Sequence, residues 1–157
     1  MYGEETSLRE KIVNDYGPDL DRLLRYLPYL DKKKGKDVQN FYDGEANYQS
    51  IPVPIYDSTL LAFIKEAKKS AFMYKNYPYV YRKYHLNTHA DEIKLMEEAM
   101  LRDIDIYRGI ISKYVLGGQT KAYLWSEAVD ARIFVTALDC LQKRFAEFNA
   151  ELSRKGL

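Results

Sequence analysis

Along the last quarter of the chain, Phe134, Leu138, Leu141, Phe145, Phe148 and Leu152 recur at steps of four and three residues. That spacing places all six on one face of a helix running from Ala131 onward, and predicts that helix as the central element of a hydrophobic core. The "SRKG" that closes it supplies cations and a glycine suited to a helix C-terminus. A second stripe, Leu60, Ile64, Ala67, Ala71 and Tyr74, predicts a helix capped by Asp57 or Ser58, with Lys65, Lys68 and Lys69 facing water. A third starts at Thr88, which precedes Asp91 at capping-box spacing, and runs through Ile93, Met96 and Met100. After a break near Arg102 the stripe resumes at Ile104, Tyr107, Ile111 and Tyr114. Gly117 and Gly118 should end it, because a left-handed residue there carries no steric cost. A short helix around "KAYLWSEAV" follows.

The amino-terminal third is more interrupted. Ser7 and Glu10 have capping-box spacing, and Gly17-Pro18 reads as a stop, so a short first helix is expected. Leu20, Leu23, Leu24 and Leu27 form the stripe of a second, broken at Pro28. From Asp31 to Asp57 the helical period vanishes. "DKKKGKD" is a charge run, and "IPVPIY" alternates as an extended segment. Proline has no N–H for a sheet ladder, so that segment is expected as a tacked-down loop or edge strand. Together these patterns predict an all-α fold: a compact single domain over residues 1–157, built as a bundle of about five to seven helices with a long irregular loop near residues 31–57.

Charge and composition narrow the partners. With 24 basic and 23 acidic residues the net charge is +1, so no global field gathers polyanions or an anionic membrane. The single cysteine, Cys140, forms no internal disulfide and fits a reducing, cytoplasmic setting. No apolar stretch has the length of a membrane span, and "MYGEETSLREK" has no signal-like core, so a soluble protein with no membrane contact is expected. The aromatic chemistry stands out: 15 tyrosines against six phenylalanines and one tryptophan, a residue type suited to half-buried packing or to interfaces.

Five of those tyrosines fall in "YKNYPYVYRKYH", Tyr74 to His85. Tyr74, Tyr77, Tyr81 and Tyr84 follow a helical period, whereas Tyr77, Tyr79 and Tyr81 follow an extended one. Pro78 biases Tyr77 toward extended geometry, so a tethered aromatic connector is the expectation. Extended, it would set Tyr77, Tyr79 and Tyr81 on one face beside Arg82, Lys83 and His85. Tyr77, Tyr79, Tyr81, Arg82 and Lys83, with Trp125, make a candidate surface for a protein partner. Nucleic acid is the alternative, its bases stacking on the rings and its phosphates pairing with Arg82, Lys83 and the Lys32 to Lys36 loop. The ordinary reading has the rings covering helix ends with hydroxyls outward.

The remaining constellations are thin. His85 and His89 are four apart with Asp91 and Glu92 behind them, but the Thr88 cap separates them and no third ligand has motif spacing. Cys140 has no histidine after it in the chain and reads as a small hydrophobe. "EAVD" offers Glu127 and Asp130 as half of the paired-acid set of an all-helical magnesium hydrolase; Glu97 with Glu98 and Asp103 with Asp105 lack the spacing of the other half. No phosphate-cradling glycine loop or nucleophile elbow occurs. No catalytic residue, metal or cofactor is assigned, and a non-catalytic interaction module is the leading expectation. A homodimer would need a free second face on the last helix, formed by Ala131, Val135 and Ala146.

"LLRYLPYL", "PIYDSTLLAFIKEAKKSAFMYKNY" and "IISKYVLGG…LWSEAVDARIFVTALDCLQ", taken in order from Leu23 to Phe145, resemble a family of small bacterial helical proteins catalogued only as a domain of unknown function. In that family the segment like "YRGIISKY" carries arginines flanking an aromatic residue, where this chain has Arg108 and Lys113, and "GGQTKAY" looks like an insertion. The resemblance implies a compact helical fold and a bacterial or mobile-element origin, and no activity.

Overall fold

The stripe of the last helix is the axis on which the rest assembles. Phe134, Leu138, Leu141, Phe145 and Phe148 are all buried along it, and Leu152 is half-buried. The computed structural model describes residues 3–34, 39–41 and 54–154. In chain order its elements are α1 (Gly3–Leu24), α2 (Leu27–Lys32), β1 (Gln39–Phe41), β2 (Pro54–Tyr56), α3 (Ser58–Lys69), α4 (Tyr77–Lys83) and α5 (His89–Glu98). A 3₁₀ turn (Leu101–Asp103), α6 (Ile104–Gly117), α7 (Leu124–Asp130) and α8 (Ile133–Arg154) complete it. The fold is all-α. Its only strands among the described residues are β1 and β2, paired antiparallel with Asn40 opposite Ile55. The extended reading of "IPVPIY" holds at Pro54–Tyr56, while the rest of that motif and the lysine run from residue 35 on lie outside the described residues.

The stop expected at Gly17-Pro18 is not a break. α1 runs unbroken through Gly17 and Pro18. A proline inside a helix costs about 3 kcal/mol. Burial of Ile12, Leu20 and Leu23 on the core face offsets it, at about 1.5–3 kcal/mol per side chain. Tyr16 adds a ring contact to Phe72 at 5.1 Å. The Ser7–Glu10 pair therefore lies within α1 rather than at its start. Pro28 and Pro78 begin helices, because a first-turn proline withholds an N–H that would have no partner there. So "YPYVY" is helical, not extended: Val80 is buried, Tyr77, Tyr81 and Tyr84 are half-buried, and Tyr79, Arg82 and Lys83 point outward. Gly109 lets α4 close on α6, since a Cβ there would stand 2.7 Å from Val80 Cγ2.

The caps at Asp57 and at Thr88–Asp91 form as the sequence predicts. Asp57 accepts the Thr59 N–H at 3.1 Å to start α3, and Thr88 with Asp91 closes a full capping box at α5. The far end of α5 is held from outside. Tyr107 Oη lies 2.7 Å from the Met96 carbonyl and 2.9 Å from that of Ala99, while Arg144 donates to the Ala99 and Glu97 carbonyls. The break near Arg102 is the 3₁₀ turn.

At the end of α6 the glycines serve a different purpose from the one expected. Gly118 has φ −66°, not a left-handed value. A Cβ on it would fall 2.1 Å from Trp125 Nε1, so the residue is small to admit the indole. The left-handed residue is instead Arg132, φ 60°, which turns α7 into α8 and so delays the last helix to Ile133. The second face of α8 is not free for a homodimer: Val135 is buried, Ala131 is half-buried ahead of the helix, and Ala146 alone is exposed. No helix among the described residues is long and apolar enough to cross a membrane.

Candidate functional site

The capping box that starts α5 also aims Glu92. Thr88 and Asp91 satisfy the first amides of the helix, and the next residue turns its carboxylate into the space between α4, α6 and α7. Glu92 is 2% exposed. An isolated carboxylate at that depth costs several kcal/mol, and only close partners offset it. It has four. Tyr81 of α4 donates its hydroxyl to Oε2, and Tyr114 of α6 lies 2.8 Å and 2.9 Å from the two carboxylate oxygens. His89 Nδ1 stands 2.9 Å from Oε1, and Lys113 Nζ 3.6 Å from Oε2. The Lys113 ammonium also sits 4.8 Å from the ring centroids of both Tyr81 and Tyr114. Burial first, and then the negative Glu92, raises the pKa of both phenols, so each remains a donor.

This network forms the floor of a cleft of about 330 Å³ lined by Tyr81, Leu86, Asn87, Thr88, His89, Glu92, Lys113 and Glu127. His89 and Glu127 are half-exposed at its mouth, with Nε2 and Oε1 3.9 Å apart. Tyr114 Oη also lies 3.0 Å from His89 Nδ1; with both tyrosine protons assigned to Glu92, Nδ1 faces two acceptors and the imidazole proton is assigned to Nδ1. Nε2 then presents a lone pair to the cleft. The arrangement can hold a polar molecule between one cation and a pair of acceptors, and can exchange a proton through Nε2.

The residues singled out from the sequence divide. Tyr81 belongs to the cleft, but as a donor to Glu92 rather than as a stacking ring. Tyr77 is half-buried on the same side of α4, and Tyr79 is 46% exposed on the other. Tyr79 therefore shares no face with Tyr77 and Tyr81, because two residues along a helix turn it to the opposite side, where an extended chain would align all three. Lys83 lies 5.9 Å over the Tyr79 ring, and Arg82 is exposed beside it. Trp125 is half-buried: its Nε1 donates to the Val115 carbonyl at 3.2 Å and its ring packs on Tyr56 at 5.3 Å. It is packing, not part of an exposed patch.

His85, with φ 54°, sits outside α5 and apart from His89, as the Thr88 cap requires. Among the described residues no three or more His, Cys, Asp or Glu side chains gather as a metal site. Glu127 turns toward His89 instead of pairing with other acids. Cys140 is half-buried, and burial pushes its thiol up, away from nucleophilic use. The sequence named Glu92 only in a discounted histidine–acid cluster, Tyr114 only as part of an apolar stripe and Lys113 only within the resemblance, none of them as a member of this site. The available signal was slight: His89 and Glu92 at i,i+3 on a well-capped helix, with the carboxylate next to Ile93 of the apolar stripe. Comparison with protein families, with curated proteins and with solved structures finds no match to this chain.

Proposed function

We propose that the cleft over Glu92 binds a small polar molecule, one that offers an oxygen to Lys113 and a hydrogen-bond donor to Glu127 or His89 Nε2. One observation carries this reading: a carboxylate 2% exposed is held at the floor of an open cleft entirely by side chains. Stability alone does not call for it, since well-packed apolar residues commonly replace a buried ionic group at no loss. Clusters of interacting titratable groups in a cleft are, by contrast, the ordinary setting of ligand sites. The size is at the small end of such pockets, which favours a ligand of a few polar groups over a nucleotide.

The test is an NMR titration with N-acetylglycinamide, which carries both carbonyl oxygens and N–H donors. Amide shifts should concentrate on Asn87 to Glu92, Lys113 and Glu127, and should vanish in a Lys113→Met, Glu127→Gln double variant. Shifts scattered over the surface, or unchanged in that variant, remove the reading.

A second reading rests on the outward face of α4, where Tyr79 is 46% exposed beside Arg82 and Lys83. A single aromatic with two cations suits docking of a protein partner better than nucleic acid, which needs several stacked rings. A co-purified protein lost in Tyr79→Ala and retained at high salt would support it. We read the setting as cytoplasmic, in keeping with one unpaired cysteine in the chain.

A further inference from the structure

We propose that this cleft is hydrolytic, with His89 as general base toward water attacking a small acyl ester and Glu92 as the positioning carboxylate behind it. The inference rests on the ligand-binding reading above and adds chemistry to it. Its basis is geometric. A carboxylate 2.9 Å from Nδ1 holds the imidazole in one tautomer and stabilises the imidazolium that forms when Nε2 takes a proton. Glu92 is itself fixed by Tyr81 and Tyr114, so the ring orientation is set by three helices rather than by one flexible side chain. Glu127 Oε1 stands 3.9 Å from Nε2, and the Lys113 ammonium, which also lines the cleft, lies 3.6 Å from the Glu92 oxygen that His89 does not face. The gap between Nε2 and Glu127 Oε1 is one that a single water spans.

The step balances with water and ester alone. Water between His89 and Glu127 gives one proton to Nε2 as its oxygen bonds to the acyl carbon, and the carbonyl electron pair moves onto oxygen facing Lys113. When the tetrahedral species collapses, the carbon–oxygen bond to the leaving group breaks, and the imidazolium returns its proton to the departing alkoxide. A carboxylic acid and an alcohol are released. Lys113 acts where negative charge develops, the usual role of a fixed cation beside an oxyanion. The chain's hydroxyl nucleophiles are not required, which agrees with Thr88 Oγ1 being engaged by the Asp91 amide.

The experiment follows hydrolysis of p-nitrophenyl acetate by the full chain, counting only turnover beyond one equivalent of ester per protein. His89→Gln should lower kcat by about 10²–10⁴-fold, the usual contribution of a general base. Glu92→Gln should lower kcat with KM little changed, and imidazole should restore saturable turnover to His89→Gly above that of imidazole alone. His89 is the first residue of α5 and is half-exposed, so its replacement leaves the core intact; Glu127→Gln, also on the rim, gives an independent reduction. Equal turnover in the native protein and His89→Gln overturns the proposal, as does turnover no greater than buffer. The N-acetylglycinamide titration on the same samples separates the two readings. Localised shifts without hydrolysis remove the acid–base chemistry alone; absence of both removes the site.

Discussion

Two regions of the molecule gather charged side chains and use them in opposite ways. One is the cleft over Glu92. The other is a groove of about 260 Å³ between α1, the 3₁₀ turn and α8, lined by Arg9, Arg102, Arg144, Glu147 and Glu151 among others. In the groove Arg9 reaches Glu151 at 2.8 Å and lies 4.8 Å over the Phe148 ring, tying α1 to α8. Arg144 donates to two backbone carbonyls at the end of α5 and meets Glu147 at 3.3 Å. These cations complete a helix terminus and join elements, as groups with a structural duty do. In the cleft the charged groups are aimed at one another and at open space, with no backbone group among the partners of Glu92. Depth or charge alone does not mark a site; what the partners are does.

The largest effect that sharpens this contrast is expected at Glu92 itself. Glu92→Ala leaves Lys113 and two phenols without their carboxylate and should cost about 3 kcal/mol in urea unfolding, as removal of one partner from a buried charge network does. Arg144→Ala should cost about 2 kcal/mol through the exposed α5 carbonyls and leave the N-acetylglycinamide shifts unchanged. If Arg144→Ala abolishes those shifts, the division between a structural groove and a chemical cleft fails. Next in size is Gly109→Ala. A Cβ 2.7 Å from Val80 Cγ2 must push α4 away from α6, and should cost about 2 kcal/mol. Helix propensity alone would make the same change favourable by about 1 kcal/mol, so its sign decides which effect dominates. The displacement carries Tyr81 from Glu92, so the ester turnover should fall with stability, whereas Arg144→Ala should lower stability alone.

Much of the frame was legible because its signals are local. The α8 stripe, the Asp57 cap and the Thr88–Asp91 box each lie within a few residues, and each formed where the spacing placed it. The failures share a physical cause, competition from distant parts of the chain. Pro18 lies inside a helix because Leu20 and Leu23 find a core. The two periods of "YPYVY" were decided by α6, which offers Gly109 to Val80. Gly118 was expected to ease a left-handed turn and instead makes room for Trp125, which no local pattern reveals. Glu92 was illegible for a stronger reason. Carboxylates are almost always solvated, and its partners Tyr81, Lys113, Tyr114 and His89 come from three helices brought together only by the fold.

Toward alkali the two regions should behave alike. Tyr107, beside Arg144, has its phenol pushed up to about 12 by burial; Tyr81 and Tyr114 in the cleft are raised by burial and then by Glu92. All three stay neutral in the folded chain while the unfolded phenols ionise near about 10. Their stabilisation is complete below that pH and is lost as pH rises toward the folded values. An ultraviolet titration followed together with circular dichroism checks this. Tyr81, Tyr107 and Tyr114 should ionise only with the loss of helical circular dichroism. Tyr107→Phe should cost about 1.5 kcal/mol and advance that loss, since it abandons the Met96 and Ala99 carbonyls. A single gradual phase that accounts for every tyrosine would show that these rings are not sealed.

The smallest effect lies at the acid end, where Asp57 belongs to neither region and is the control for both. The Tyr29 phenol at 2.6 Å, and then the Thr59 amide, hold the Asp57 carboxyl below its ordinary value; amides of Asn87 and Thr88 do the same for Asp91. Depressed carboxyls stabilise the fold above the unfolded value of about 3.9, and that contribution is lost as pH falls through the folded value. Stability should therefore decline below about pH 4. Asp57→Ala should cost about 1 kcal/mol at neutral pH, the usual worth of a helix cap, and should flatten the acid decline. The Thr88–Asp91 box aims Glu92, so Asp91→Ala should weaken the ligand shifts in the cleft, while Asp57→Ala, at the start of α3, should leave them in place. Equal weakening by both would mean that the cleft responds to loss of helix stability in general and is not set specifically by the cap of α5.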